Sequence, residues 1–505
     1  MDTGEIIKIS GPIVVADKME NSCINDLCRV AKTGVLGEII EIHQDKASIQ
    51  VYGDTTGIRQ SDKVTSTSQP LCVELGPGLL KSVYDGIQRP LNIKEESANS
   101  LDRKIKWKFN SACKLHDIVS QGDVIGTVQE TPAILHKIIV PFGISGEITL
   151  IQEGEYSVTD VVCRIKTENG EKEVTLMQKW PVRKQRPYKT KLMPDKQLLT
   201  GQRTIDTFFP IAKGGTSAAI GTFGTGKTEL QKKIAKYSDC DIVIFVGCGI
   251  RGSEIADVLN EFSKSDILNK SVIIANTSDM PVAEREASIN TGITIAEYYR
   301  DMGYSVAIIT DSLTRWAEAL REISGKLDEM FGEEGYPSYL GSRIAGYLER
   351  SGRVECYGKE LREGSITSIT TVSPAGSDLT ELVSQLILKD VKVNLEFDRD
   401  LSNERHFPAL NCTDSYSQYA DKFNYDYHDF SEIKEEAFDI LKKEDMLREI
   451  ANIASYNTLL ESDKQILKKA KSIRNSFLDQ DDEYSSIEEQ YNLLKSIIKG
   501  GSYYE

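Results

Sequence analysis

Residues 221–228, Gly-Thr-Phe-Gly-Thr-Gly-Lys-Thr, follow the pattern G-x-x-x-x-G-K-[ST]. Backbone N–H groups of Gly224, Thr225 and Gly226 can cradle phosphate oxygens at a helix start, where the helix dipole adds positive potential. Gly221 and Phe223 complete the loop, Lys227 can reach the outer phosphates, and the Thr228 hydroxyl can ligate Mg2+. The chemistry implied is binding of ATP or ADP with Mg2+. Such a site also needs a carboxylate at a neighbouring strand end to hold the metal through water, and Asp311, in the run Ser-Val-Ala-Ile-Ile-Thr-Asp-Ser, supplies one. Hydrolysis requires in addition a group that orients or deprotonates the attacking water. The loop suited to that task reads Val-Gly-Cys-Gly-Ile-Arg-Gly-Ser-Glu from residue 246. Arg251 can neutralise charge on the outer phosphate, but Ile250 can do neither task. Glu254 lies four residues on, a helical turn from Ile250 if a helix starts here, and is the carboxylate that could substitute.

These loops need a rigid frame. From about residue 190, apolar runs (241–248, 271–277 and 304–312) alternate with helical stretches, which predicts a parallel sheet covered by helices on both faces. The fold class expected is an α/β P-loop NTPase core with an N-terminal β-barrel, an inserted β-rich domain and a C-terminal helical bundle. Residues 1–68 alternate with period two: Ala47, Ile49 and Val51 face one way, and Ser48, Gln50 and Tyr52 the other. Residues 92–187 read as the inserted β-rich domain, and 69–91 with 188–420 as the nucleotide-binding domain. Residues 421–505 are expected to be helical, with Ile466, Ala470, Ile473 and Phe477 on one face and Ser462 or Asp463 as an N-cap.

Composition bounds the function classes. At 505 residues the chain exceeds one hydrophobic core, and no stretch approaches the ~18 apolar residues of a membrane span. A net charge of −16 argues against nucleic acid as a partner. The N-terminus lacks the basic start of a secretory signal, so a cytoplasmic location is expected. Nine scattered cysteines without C-x-x-C, and five histidines without metal-ligand spacing, argue against structural zinc and a disulfide framework.

Long blocks then carry a family resemblance. Residues 73–91 (VELGPGLLKSVYDGIQRPL), 198–230, 275–306, 311–327 (DSLTRWAEALREISGKL) and 335–354 (GYPSYLGSRIAGYLERSGRV) resemble the catalytic A subunit, or alpha chain, of V/A-type rotary ATPases. The resemblance runs almost end to end, and the insertion at 92–187 separates it from the F-type β subunit. It implies a head in which three A subunits alternate with three B subunits, with ATP at each interface and an arginine finger supplied in trans by B. It further implies a central rotor stalk, a peripheral stalk and a membrane sector moving H+ or Na+, to which the cytoplasmic head attaches peripherally. Lys227, Thr228 and Asp311 match the family's phosphate and Mg2+ residues, and Phe407 matches a position near the adenine. Where the family has G-E-R-G-N-E, this chain has G-I-R-G-S-E, so Ile250 stands at the position of the water-activating glutamate. The resemblance also makes residues 373–382, SPAGSDLTEL, a loop that has lost a proline and a glycine. Two functional expectations follow: a working subunit with slow or compensated chemistry, or a structural or regulatory paralogue that binds nucleotide without hydrolysing it.

Overall fold

The computed structural model describes residues 2–91, 99–327, 329–374, 376, 378–423, 425, 427–454, 460–481 and 483–499. The chain divides into two compact units, Met1–Leu192 with Asp241–Ile366, and Met193–Cys240 with Thr367–Glu505.

The first unit begins with a closed six-stranded barrel whose strands run from Thr3–Ser10 to Lys63–Pro70. Alternation fills its interior with Ile6, Val14, Ile39, Ile49 and Val64. The period-two reading is incomplete here, because Gln50 and Tyr52 are buried as well as Ala47, Ile49 and Val51. Tyr52 donates to Glu38 at 2.5 Å, and Glu38 in turn pairs with Arg183, so the outer face of these strands is covered by polar contacts rather than by water. The inserted region forms two four-stranded antiparallel sheets packed around Phe109, Ile125, Val128, Ile148 and Ile165.

A parallel sheet completes this unit in the order Val83–Tyr84, Ser271–Thr277, Ile242–Ile250, Ser305–Asp311. All nine residues of Ile242–Ile250 are buried, as a central parallel strand covered on both faces requires. Helix Val282–Asp301 lies against it, and Gly292 allows the close approach: a Cβ there would sit 2.4 Å from Val246 Cγ2.

In the second unit, strand Thr216–Ile220 is flanked in parallel by residues 368–372 and 393–396. Helices Phe430–Ala454, Glu461–Ser472 and Ile487–Lys499 form the C-terminal bundle. Phe208 and Phe209 pack against Phe438, and Phe208 meets Phe477 edge-on. Ala470, Ile473 and Phe477 are fully buried, as their spacing predicts. The N-cap assignment was wrong: helix Glu461–Ser472 is capped by Leu460, which puts Ser462 and Asp463 inside the first turn. Asp463 there still favours the positive end of the helix dipole, which explains the sequence signal without a capping bond.

Candidate functional site

The phosphate loop lies in the second unit between strand Thr216–Ile220 and helix Lys227–Tyr237. Gly224 and Gly226 adopt φ of 85° and 91°, a left-handed conformation that turns successive N–H groups into the loop. Gly221 is glycine for a different reason, since a Cβ there would meet Phe397 Cβ at 2.6 Å. The Lys227 ammonium is buried and donates to the carbonyls of Gly221 and Thr222, each at 2.6 Å, while Thr225 Oγ1 donates to Thr222 O at 2.9 Å. The cation is thereby fixed against the loop.

Two aromatic rings flank this loop. Phe223 is exposed on it, and the Phe407 ring lies 3.7 Å from where a Cβ of Gly226 would be. Phe407 is held by its backbone, its N–H donating to Asp479 Oδ1 at 3.1 Å and its carbonyl accepting from Gln480 at 2.7 Å. An aromatic face 39% exposed beside a phosphate loop has the shape a nucleotide base can use.

In the first unit, the loop that carries Ile250 and Arg251 closes strand Ile242–Ile250. Asp311 ends the adjacent strand and stands in register with Gly247. Ile250 does not point into open space. It is 6% exposed, and its Cδ1 folds back over Gly247, within 2.6 Å of where a Cβ of that glycine would be, with Ile255 Cδ1 at 2.9 Å from the same point. The hydrocarbon therefore caps its own strand, using the room that Gly247 leaves. Arg251 is exposed and precedes helix Gly252–Lys264 as its N-cap. Glu254 occupies the third position of that helix, and its carboxylate accepts the Arg251 N–H at 3.2 Å, the return half of a capping box. Cys248 gives the loop no nucleophile: burial pushes its thiol up to about 12.

Two neighbours escaped the sequence reading. Arg285 runs along Gly249, with its Cδ 3.2 Å from a Cβ built there, and donates to Ser278 O at 3.1 Å. Asp279 follows strand Ser271–Thr277, at the same edge of the sheet. Arg285 contacts the Gly249 turn directly and Asp279 is joined to the 250 loop through the register of the parallel strands, so neither stood out by type or spacing within the 275–306 block. Ala375 and Ser377, within the divergent loop 373–382, lie outside the described residues. After them, Asp378 Oδ1 accepts the Thr380 N–H at 2.8 Å and its hydroxyl at 2.6 Å, an Asx turn ahead of helix Leu382–Asp390.

Comparison with known proteins decides the family. Four models match in succession: the beta-barrel domain of the ATP synthase alpha/beta family over 6–68, the alpha/beta subunit barrel-sandwich domain over 98–183, the family's nucleotide-binding domain over 201–417, and the C-terminal domain of V and A type ATP synthase over 421–502. The V-type ATP synthase alpha chain of Clostridium perfringens (strain SM101) is 51% identical over 99% of this chain and 89% of its own length. The chain belongs to the V-type ATP synthase alpha chains. The same alpha chain from Clostridium novyi (strain NT) is 52% identical and that from Thermoanaerobacter sp. (strain X514) 50%, each over 99% of this chain and 89% of theirs. A solved structure of the assembled ATPase EscN from the enteropathogenic E. coli type III secretion system shares the fold at a TM-score of 0.73 and 21% identity, covering 98% of this chain and all of that one. Membership of the alpha chains makes this a nucleotide-binding subunit of an ATPase complex that assembles with other subunits. Among the described residues, no helix is long and apolar enough to cross a membrane.

Proposed function

We propose that this chain is the ATP-binding A-type subunit in the head of a rotary ATPase, alternating with B subunits and coupled through a rotor and stalks to a membrane sector that moves H+ or Na+. Within it, the nucleotide site binds normally, while hydrolysis is slowed because Ile250 occupies the position of the water-activating glutamate. The observation carrying this reading is that position 250 presents a hydrocarbon folded back onto Gly247, so the residue at the strand end offers no carboxylate to a water.

The rest of the machinery supports binding. Gly224, Thr225 and Gly226 offer backbone N–H groups to phosphate oxygens, Lys227 pairs with the outer phosphates, and Phe223 and Phe407 offer apolar surface to the base. Mg2+ would need only one or two protein oxygens beside the phosphates: the Thr228 hydroxyl on the phosphate loop would be one, and Asp311, acting through water, is the carboxylate that the family resemblance assigns to it. Among the described residues, no group of three His, Cys, Asp or Glu forms a metal cage, and a phosphate-held ion requires none. The ion's contribution when bound is to neutralise charge on the β- and γ-phosphates. Arg251 adds a cation at the same strand edge for charge that develops on the γ-phosphate. Glu254 is a poor replacement for the missing base, since its carboxylate is engaged on the Arg251 N–H.

Equilibrium binding of Mg·ATP to the chain assembled with its B subunit tests the first half of the proposal. The natural chain and Ile250→Glu bind with the same affinity, while Lys227→Ala loses ~10-fold or more. Weak binding by the natural chain that Ile250→Glu restores would show instead that Ile250 damages the nucleotide site itself. A paralogue that holds nucleotide without any turnover is the second reading, favoured by the same residue.

A further inference from the structure

A base stacks best on a flat apolar face already held beside the phosphate loop, and within the second unit the Phe407 ring has that place, 3.7 Å from where a Cβ of Gly226 would be. Its own segment reaches the loop through Ser402, whose hydroxyl donates to Gly224 O at 3.5 Å. Asp398, the nearest carboxylate before it, is occupied in capping the short helix Arg399–Asn403. The peptide groups of Phe407 are engaged from much further along the chain. Its N–H donates to Asp479 Oδ1 at 3.1 Å, across 72 positions, and its carbonyl accepts the Gln480 N–H at 2.7 Å. Residues 479 and 480 are themselves tied on several sides. The Asp479 N–H donates to Arg474 O at 2.9 Å, and Arg474 is ion-paired with Glu444 and Asp445 of helix Phe430–Ala454. Arg203 donates to Asp479 O at 2.6 Å, and Lys233, on the helix that leaves the phosphate loop, donates to Gln480 O at 3.3 Å. The buried Gln480 side chain accepts the Arg203 N–H at 2.7 Å and donates to Gly201 O at 2.9 Å.

We propose that Asp479 is a positioning residue for the nucleotide base: its carboxylate, carried by the C-terminal bundle, fixes the Phe407 backbone so that the ring stands ready beside the phosphate loop. The inference rests on the assignment of Phe407 to the base under the proposed function, and Asp479 acts through that ring rather than on the nucleotide. Two engaged peptide groups set the direction of the Phe407 Cα–Cβ bond, which leaves only the side-chain torsions to be ordered when a base arrives. An aromatic face already in place costs less ordering on binding. The Asp479 side chain is exposed, so its bond to a peptide N–H competes with water and its effect is several-fold rather than hundred-fold. The same exposure means that shortening it disturbs no core. Phosphate contacts belong to residues 221–228, so an effect confined to the base is the signature of this role.

Inorganic tripolyphosphate with Mg2+, which offers the phosphates without a base, separates the two kinds of contact. Equilibrium binding of Mg·ATP and of Mg·tripolyphosphate, with melting temperature, is measured on the chain assembled with its B subunit. Asp479→Ala is expected to weaken Mg·ATP about 5-fold while leaving Mg·tripolyphosphate binding and melting unchanged. Asp479→Asn, whose amide oxygen still accepts the Phe407 N–H, should restore most of the loss. Phe407→Ala should weaken Mg·ATP as well, and adding Asp479→Ala to it should cost nothing further. Equal losses for both ligands would show Asp479 acting on the loop as a whole and would overturn the role. So would an additive loss in the double variant, an equal loss in Asp479→Asn, or unchanged Mg·ATP binding by Asp479→Ala where Phe407→Ala weakens it. Each of these results leaves Phe407 with the base. Natural Mg·ATP affinity in Phe407→Ala would instead remove the ring from the base and take the inference with it.

Discussion

At the scale of single residues, the decisive feature is how well Ile250 fits. A glutamate replaced by a hydrocarbon pointing at water would be damage, but Ile250 folds over Gly247 beside Ile255, so the substitution is packed into the strand end. An introduced glutamate at 250 would meet the same apolar wall, which raises its pKa toward the range useful to a general base. Glu284 shows what burial does to a carboxyl in this unit. Burial drives its pKa up to about 7, against the opposing pull of Arg89. Because the folded-state value lies above the unfolded one, the native chain holds this proton through the interval where the unfolded chain releases it. Its contribution to stability is therefore largest below pH ~4.5, falls as the pH rises to about 7 and is constant beyond. Melting curves of the natural chain and Glu284→Gln should accordingly shift in favour of the variant across that window, and a constant difference between the two would contradict the burial argument.

The elements were legible where one periodicity dominates. Nine buried residues in a row on Ile242–Ile250 and the glycine-rich turn before helix Lys227–Tyr237 are local patterns, readable without tertiary information. Alternation alone does not tell that Gln50 and Tyr52, opposite Ile49, are buried too: on that side Tyr52 meets Glu38, which the half-buried Arg183 engages, a contact set by tertiary structure. The polar start of helix Glu461–Ser472 misplaced its cap by two or three residues, since Ser and Asp serve a first turn nearly as well. Arg285 and Asp279 were invisible for a further reason: parallel strand pairing brings together residues some thirty positions apart in the chain. Close packing at this scale has a measurable cost when disturbed. Gly292→Ala would drive a methyl into Val246 and push helix Val282–Asp301 off the strand that ends in Ile250. The expected destabilisation is ~1–3 kcal/mol by denaturant unfolding, accompanied by reduced ATP turnover; an unchanged midpoint would mean the helix can retreat freely.

At the scale of the whole molecule, the first unit joins its parts through buried ions. Arg183 sits between the barrel and the core helix, making paired hydrogen bonds of 2.7–2.9 Å to Glu38 and Glu286. Burial disfavours its charge, but the two carboxylates hold its pKa well above the ordinary value, so it stays ionised. Arg183→Ala strands two carboxylates in the interior, with an expected loss of ~3–5 kcal/mol, and Arg183→Lys should recover only part because an ammonium cannot serve both in forked geometry. Two variants of equal stability would show that charge alone, without the fork, holds the parts together. Motifs and hydrophobic patterning carried the fold class, and the resemblance of long contiguous blocks carried the family. The chemistry rests on one substituted residue and on what the fold places around it. ATP turnover of the chain assembled with its B subunit, compared with Ile250→Glu and Lys227→Ala, addresses that chemistry most directly. The account predicts that Ile250→Glu gains ~10²-fold or more over the natural chain at equal Mg·ATP affinity, with Lys227→Ala lowest. A natural chain already as fast as Ile250→Glu would contradict it.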